Sequence, residues 1–229
     1  KLSKRHGALG VEAYRDDGFL PEAVFNYLLR LGWSHGDDEI ISREQAVEWF
    51  DLGGVGKSPA RFDIDKLTSL NGHYIRHGDN ERLSKFILPV ITEKLGGRVA
   101  EGTEIWLNKG LDDLKERAKT IIELADSALF YAKTRPLTMD EKATTLLSED
   151  GIEKLCLLHA ALADIDDWSA DRLKQSVGDL AEAQDLKLGK LLQPLRAALT
   201  GTHVSPGMFD VMAVLGREES LGRLDDVLN

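Results

Sequence analysis

The residues most able to do chemistry stand near the two ends of this chain. At its start, Lys1, Lys4 and Arg5 flank Ser3. A short basic opening of this kind is most often a solvated charge patch. Near the other end, Lys187, Lys190 and Arg196 bring cations to a stretch whose remaining positions are rich in leucine. Ser205-Pro206 follows and reads as a helix N-cap with proline at the first helical position. A helix start offers unpaired backbone N–H groups that suit phosphate or base acceptors. Phe209 stands beside it, and an aromatic ring there can stack on an unpaired base. On physical grounds alone, one more helix pair with cationic ends explains the same residues.

A third chemical signal lies between them. Gly53-Gly54-Val55-Gly56-Lys57-Ser58 has the look of a phosphate-cradling loop. The motif requires glycine five positions before Gly56, where this chain has Asp51, and a preceding β-strand, where Gln45 to Leu52 has helical periodicity. Pro59 follows directly. The spacing therefore favours a plain loop after a helix.

The elements that must position these residues read as helices throughout. Val11 to Asp17 forms a short helix closed by Gly18, and Pro21 opens a second that carries Val24, Phe25, Leu28 and Leu29 and stops at Gly32. Ser42-Arg43-Glu44-Gln45 is a capping box for a helix through Val47 and Phe50, and another runs from Asp63 to Tyr74. Leu83, Phe86, Ile87, Val90 and Ile91 trace one face of a helix that contains Pro89 and ends at Gly96-Gly97, with a loop over 98–103. Leu111 to Leu129 keeps the spacing of one long amphipathic helix, with Lys115, Arg117 and Lys119 on its polar face. After an Arg135-Pro136-Leu137 linker, Thr138-Met139-Asp140-Glu141 reads as a second capping box. Ile152, Leu155, Cys156, Leu158, Leu162 and Ile165 make a core stripe with His159 nearby, and Ser169 caps the next helix. The fold class this implies is all-α.

Bulk properties narrow the function. The 229 residues suffice for one large domain or a few small helical ones, and 42% hydrophobic with 30% charged residues is ordinary globular composition. No apolar run reaches the roughly 18 residues that span a bilayer, and no signal peptide is visible. One cysteine excludes an internal disulfide and a multi-cysteine zinc site and fits a reducing cytoplasm. No metal-ligand set stands out. A net charge of −10 argues against a wholly basic footprint, yet a local cluster of Lys and Arg is enough to hold nucleic acid.

Lys1-Leu2-Ser3-Lys4-Arg5-His6-Gly7-Ala8 resembles the second signature of class I aminoacyl-tRNA synthetases, in the form carried by bacterial glutamyl-tRNA synthetases. Tyr14 to Ala23, Asn26 to Ser34, and Asp65-Lys66-Leu67 to Leu70-Asn71 are similar to what that family carries next. Gln193-Pro194-Leu195-Arg196 to Thr200-Gly201 and Ser205-Pro206-Gly207 resemble its anticodon-binding end, and Gly216 with Leu221-Gly222-Arg223-Leu224 is similar to its terminal helix. Many members have threonine where Ser205 stands, which keeps the hydroxyl.

The resemblance implies a helical stem-contact region over 1–75, then two helical anticodon-binding domains of the helix-cage type over 76–150 and 151–229. It implies that Lys1 and Lys4 hold and neutralise ATP phosphates as pyrophosphate leaves, with Ser3 and Arg5 in the same ATP-binding loop. Arg196 would read an anticodon base edge, and Ser205, Pro206, Met208 and Phe209 would line base pockets. Lys187, Lys190, Arg117 and Lys119 become further tRNA contacts. The parent enzyme would join glutamate to tRNA-Glu using ATP with Mg²⁺, as a cytoplasmic monomer, with tRNA-Gln left open as a second substrate. A chain that begins on Lys1 without the family's nucleotide-binding fold is expected to be an inactive piece that binds no cofactor alone. A purely structural helical adaptor and a P-loop NTPase around Gly56-Lys57-Ser58 are the rival readings.

Overall fold

A computed structural model describes residues 10–56 and 60–229. The described residues form thirteen α-helices and no strand, with one isolated antiparallel bridge between Trp33 and Val55. In chain order these are α1 (Val11–Asp16), α2 (Pro21–Arg30), α3 (Arg43–Trp49), α4 (Ile64–Arg76), α5 (Asn80–Lys94), α6 (Thr103–Lys115) and α7 (Ile121–Ala132). They continue with α8 (Glu141–Leu146), α9 (Glu149–Ala163), α10 (Ala170–Ala183), α11 (Leu188–Thr200), α12 (Met208–Leu215) and α13 (Arg217–Leu228). The all-α expectation holds. Contacts gather the chain into two units, Lys1–Ile87 with Leu114–Asp126, and Leu88–Asp113 with Ser127–Asn229.

The first unit is tied together by a buried amide. Asn71 on α4 accepts from Leu20 N–H at 2.7 Å and donates to the carbonyls of Lys119 at 2.6 Å and Gly18 at 3.3 Å. One side chain thus satisfies backbone groups from the α1–α2 turn and from the turn before α7, groups that are costly to bury unpaired. Gly18 has φ +83°, and a Cβ there would meet Ile122 N at 2.9 Å, so both its conformation and its close approach require glycine. Phe19, Val24, Tyr27 and Leu67 pack around this junction. The Ser42–Gln45 capping box forms as its sequence pattern predicts, and Asp63 caps α4.

In the second unit, α9 packs against α10, α11 and α13, and α11 also contacts α8 and α12. Leu155, Leu158 and Leu162 supply the buried face of α9. Ser169 caps α10, as expected from the sequence, its side chain accepting from Arg172 N–H.

Several local expectations are corrected. The predicted helix from Leu111 to Leu129 is two helices, α6 and α7, separated by residues 116–120. Thr120 Oγ1 accepts from Glu123 N–H at 3.1 Å, and the Glu123 carboxylate accepts from Lys119 N–H at 2.8 Å. These bonds start a new helix inside an apolar pattern that runs through the break. Arg117 and Lys119 consequently sit in a turn, not on a helical face. The helix after the linker starts at Glu141 under an Asp140 cap, so the Thr138–Glu141 box does not form. Cys156 is exposed, outside the core stripe. Phe25, Leu28, Val47, Phe50 and Phe86 are exposed despite their helical spacing.

Candidate nucleic-acid interface

The C-terminal candidate site is built on the end of α11, the segment that follows it and the start of α12. Gly201 closes α11 in the left-handed conformation at φ +71°, and a Cβ there would lie 2.6 Å from the Thr138 carbonyl. Its own carbonyl accepts from Asp140 N–H at 2.9 Å, which fastens the helix end to the cap of α8. Thr200 Oγ1 donates back to Arg196 O at 2.8 Å and accepts from Thr202 N–H at 3.2 Å. Thr202 Oγ1 in turn donates to Val204 O at 2.7 Å. A chain of hydroxyls therefore shapes the segment that presents Ser205.

Arg196 and Ser205 meet. Arg196 Nε donates to Ser205 Oγ at 2.9 Å, and that hydroxyl lies 3.0 Å from Pro206 O and 3.3 Å from Met208 Sδ, two acceptors for its single proton. The Arg196 side chain is half-buried and makes no other hydrogen bond or ion pair to a described residue. Fixing Nε leaves the terminal nitrogens of the guanidinium fork available for the carbonyl and ring-nitrogen acceptors of a base edge. Met208 is buried beneath this pair, while Pro206 and Phe209 are half-buried.

Ser205-Pro206 does not start the helix, which corrects the cap reading. Helix α12 begins at Met208 with Gly207 as its cap, because the Ser205 hydroxyl is engaged by Arg196. Its first turn holds Asp210, whose negative charge complements the helix dipole. That carboxylate makes this helix start better suited to neutral base groups than to phosphate.

The end of α11 is held from below by Arg223 of α13, which is 1% exposed. Its Nη1 donates to Leu199 O at 2.6 Å and to Phe130 O at 3.0 Å, and its Nε donates to Glu219 at 2.6 Å. A cation against the last carbonyls of α11 and α7 offsets the negative ends of both helix dipoles. Sequence reasoning placed Arg223 only within a terminal helix. The Glu219–Arg223 spacing of i, i+4 was the available signal.

Other sequence-predicted contacts lie apart from this pair. Lys187 caps α11 and Lys190 is in its first turn, both exposed. Helical geometry separates Lys190 from Arg196 by about 9 Å along the axis and roughly 120° around it. Arg117 and Lys119 are exposed in the turn before α7. Lys1, Ser3, Lys4 and Arg5, with Lys57 and Ser58, lie outside the described residues. The preceding glycine loop follows helix α3, and its N–H groups at Gly54 and Gly56 donate to Asp51 Oδ1 at 2.7 Å and Gly32 O at 2.8 Å. Those donors are unavailable to a phosphate. Among the described residues no group of three or more His, Cys, Asp or Glu side chains could hold a metal ion, and no helix is long and apolar enough to cross a membrane.

Comparison with known families shows what the chain is similar to. Residues 81–228, which include Arg196, Ser205 and Arg223, match the anticodon binding domain model. The chain belongs to the anticodon-binding domain family. A second match, to the catalytic domain of class I tRNA synthetases (E and Q), covers residues 1–69. Glutamate--tRNA ligase 2 of Paramagnetospirillum magneticum is 58% identical over all of this chain, and that of Rhizorhabdus wittichii is 60% identical. The chain spans about half the length of these curated relatives, 48% of each. Among solved structures, a glutamate tRNA ligase from Elizabethkingia meningosepticum in complex with its amino acid is similar at a TM-score of 0.75 and 31% identity. The match covers 94% of this chain and 42% of that one. Glutamate-tRNA synthetase from Elizabethkingia anophelis is similar at a TM-score of 0.72 and 30% identity, with the same coverage. The resemblance read from the two ends of the sequence is thus supported along its whole length.

Proposed function

We propose that this chain is the tRNA-binding, anticodon-reading C-terminal part of a glutamate–tRNA ligase. The observation that carries the reading is the Arg196–Ser205 pair, a half-buried cation oriented by a hydroxyl within the residues that match the anticodon binding domain. Arg196 reads a base edge. Ser205 orients it, and Pro206 and Phe209 flank the base, with Met208 supporting the hydroxyl from below. Lys187, Lys190, Arg117 and Lys119 add screened attraction for the phosphate backbone.

In this reading residues 1–75 form the stem-contact region, 76–150 the first anticodon-binding domain and 151–229 the second. The partner is tRNA-Glu, and tRNA-Gln is a second candidate. Lys1, Ser3, Lys4 and Arg5 are the residues that would hold the phosphates of ATP, accompanied by Mg²⁺, when the parent enzyme activates glutamate in the cytoplasm as a monomer. These 229 residues alone are expected to give no glutamate-dependent ATP–pyrophosphate exchange.

The test is a titration of the chain with tRNA-Glu and with an anticodon-substituted version at one fixed salt concentration. Tighter binding to the native anticodon supports the reading. Equal binding to both would leave the structural-adaptor reading in its place.

A further inference from the structure

The segment from Gly201 to Ser205 has to hold the Ser205 hydroxyl where Arg196 Nε meets it, and few contacts fix its path. Its first residue is tied to α8, because Asp140 N–H donates to the Gly201 carbonyl at 2.9 Å. Among the described residues Thr202 hydrogen-bonds only to Thr200 and Val204, both close to it in sequence. Val204 is 63% exposed and supplies no packing anchor. That leaves His203, two residues before Ser205, as the side chain that ties this segment to another element.

His203 lies between two charged groups at the start of α8. Its Nδ1 is 3.4 Å from Asp140 Oδ2, and its Nε2 is 3.5 Å from Lys142 Nζ. An ionised carboxylate only accepts and an ammonium only donates. One tautomer satisfies both contacts together, with the ring proton on Nδ1. Lys142 then donates to Nε2, and Nδ1–H donates to Asp140. The Ala143 N–H first, then the ring and the backbone N–H of His203, hold the Asp140 carboxyl below its usual 3.8 against the effect of burial. Asp140 therefore grips the segment twice, through its own N–H at Gly201 and through its carboxylate at His203.

Both ring contacts are long and lie at the surface, with the side chains of His203 and Asp140 38% and 40% exposed. Water weakens such contacts, so they add little to the stability of the unit. What they constrain is the direction of a short segment that has no other side-chain tie to α8.

We propose that His203 is a positioning residue for the Arg196–Ser205 pair. In its Nδ1–H tautomer it clamps residues 201–205 to α8 through Asp140 and Lys142, and so sets where Ser205 meets Arg196 Nε. The clamp needs no ligand. Its effect on anticodon preference rests on the reading of Arg196 as the group that meets the base.

Two measurements on the whole 229-residue chain test this. The first is NMR of the free chain, at a pH where the His203 ring is neutral. The ring ¹⁵N signals should report a proton on Nδ1, and exchange of the Arg196 Nε–H with water should be slowed by its bond to Ser205. His203→Ala should speed that exchange by about threefold to tenfold, the scale of one weakened hydrogen bond. His203→Asn, whose amide nitrogen stands near the Nδ1 position, should restore most of the protection. The second measurement compares affinity for tRNA-Glu and for an anticodon-substituted version at one salt concentration. His203→Ala should shrink the preference for the native anticodon by about threefold to tenfold, and His203→Asn should keep most of it.

A ring protonated on Nε2, or Arg196 Nε–H exchange unchanged in His203→Ala, would overturn the proposal. So would an undiminished preference in His203→Ala when the native chain discriminates, or equal loss of affinity for both tRNAs, the mark of a merely structural role. A native chain that does not discriminate removes the anticodon reading instead, and the clamp then stands or falls on the Arg196 signal alone.

Discussion

Arg196 and Arg223 belong to the same unit, on α11 and α13, and their surroundings give them opposite work. Arg223 is enclosed, with one nitrogen on Glu219 and another shared by two helix-terminal carbonyls. Burial works against its charge, and the Glu219 hydrogen bond opposes that effect. Arg196 is half-buried and held at Nε alone, by a neutral hydroxyl. A buried cation with Nε and Nη1 on internal acceptors and Nη2 enclosed without a partner among the described residues is a structural part. A cation fixed at one end, with its fork unpaired, is ready for a ligand. The two are linked, because Arg223 anchors the Leu199 carbonyl three residues beyond Arg196.

The comparison is broken most severely at the buried member. Arg223→Ala should cost about 3–5 kcal/mol of stability, since it leaves Glu219 without its partner and strips the Phe130 and Leu199 carbonyls. Chemical denaturation measures this, and an unchanged midpoint would remove Arg223 from its anchoring role. Arg196→Ala should act the other way round. It should weaken binding of tRNA-Glu by about 1–3 kcal/mol, the magnitude of a base-edge contact. Its effect on the denaturation midpoint should stay within about 0.5 kcal/mol.

Ser205→Ala sharpens the contrast at smaller scale. Loss of the Nε acceptor should cost about 1 kcal/mol of tRNA affinity, and Ser205→Thr, which keeps the hydroxyl, should restore it. The smallest effect concerns Asp140, which joins α8 to the segment around His203. The Ala143 N–H holds its carboxyl below the usual 3.8, against a small opposing effect of burial and with help from His203. A carboxylate with depressed proton affinity stabilises the fold fully above its unfolded value. That contribution is lost as pH falls through the folded value. The stability difference between the native chain and Asp140→Ala should therefore be constant near neutrality and shrink only below about pH 3.8, followed by denaturation across pH.

Much of the scaffold was legible because its signals are local. Ser42, Ser169 and Pro21 announce helix starts, and Gly96-Gly97 announces a stop through positive φ at both glycines. The break before α7 was hidden because Leu111, Leu114, Ala118, Ile121 and Ile122 keep helical spacing through it. Thr120 and Glu123 carry the start signal there, yet the break is fixed by Asn71, which is 48 residues away from Lys119 in sequence. Exposure of Phe25, Leu28 and Phe86 was likewise invisible, since periodicity defines a face but not what covers it.

At the candidate interface, residue types and order were legible and one role was not. Arg196 and Ser205 were singled out separately, nine residues apart. A serine before proline reads as a cap from local pattern alone, whereas here the arginine engages its hydroxyl and the cap falls to Gly207.

The central claim is that Arg196 reads the anticodon and is not merely a cationic end. A double-mutant cycle tests it most directly, pairing Arg196→Ala with an anticodon-substituted tRNA-Glu at one salt concentration. The account predicts that the native chain prefers the native anticodon and that Arg196→Ala loses the preference, with affinity for the substituted tRNA little changed. Equal losses of affinity for both tRNAs would contradict it, leaving Arg196 as a general phosphate contact.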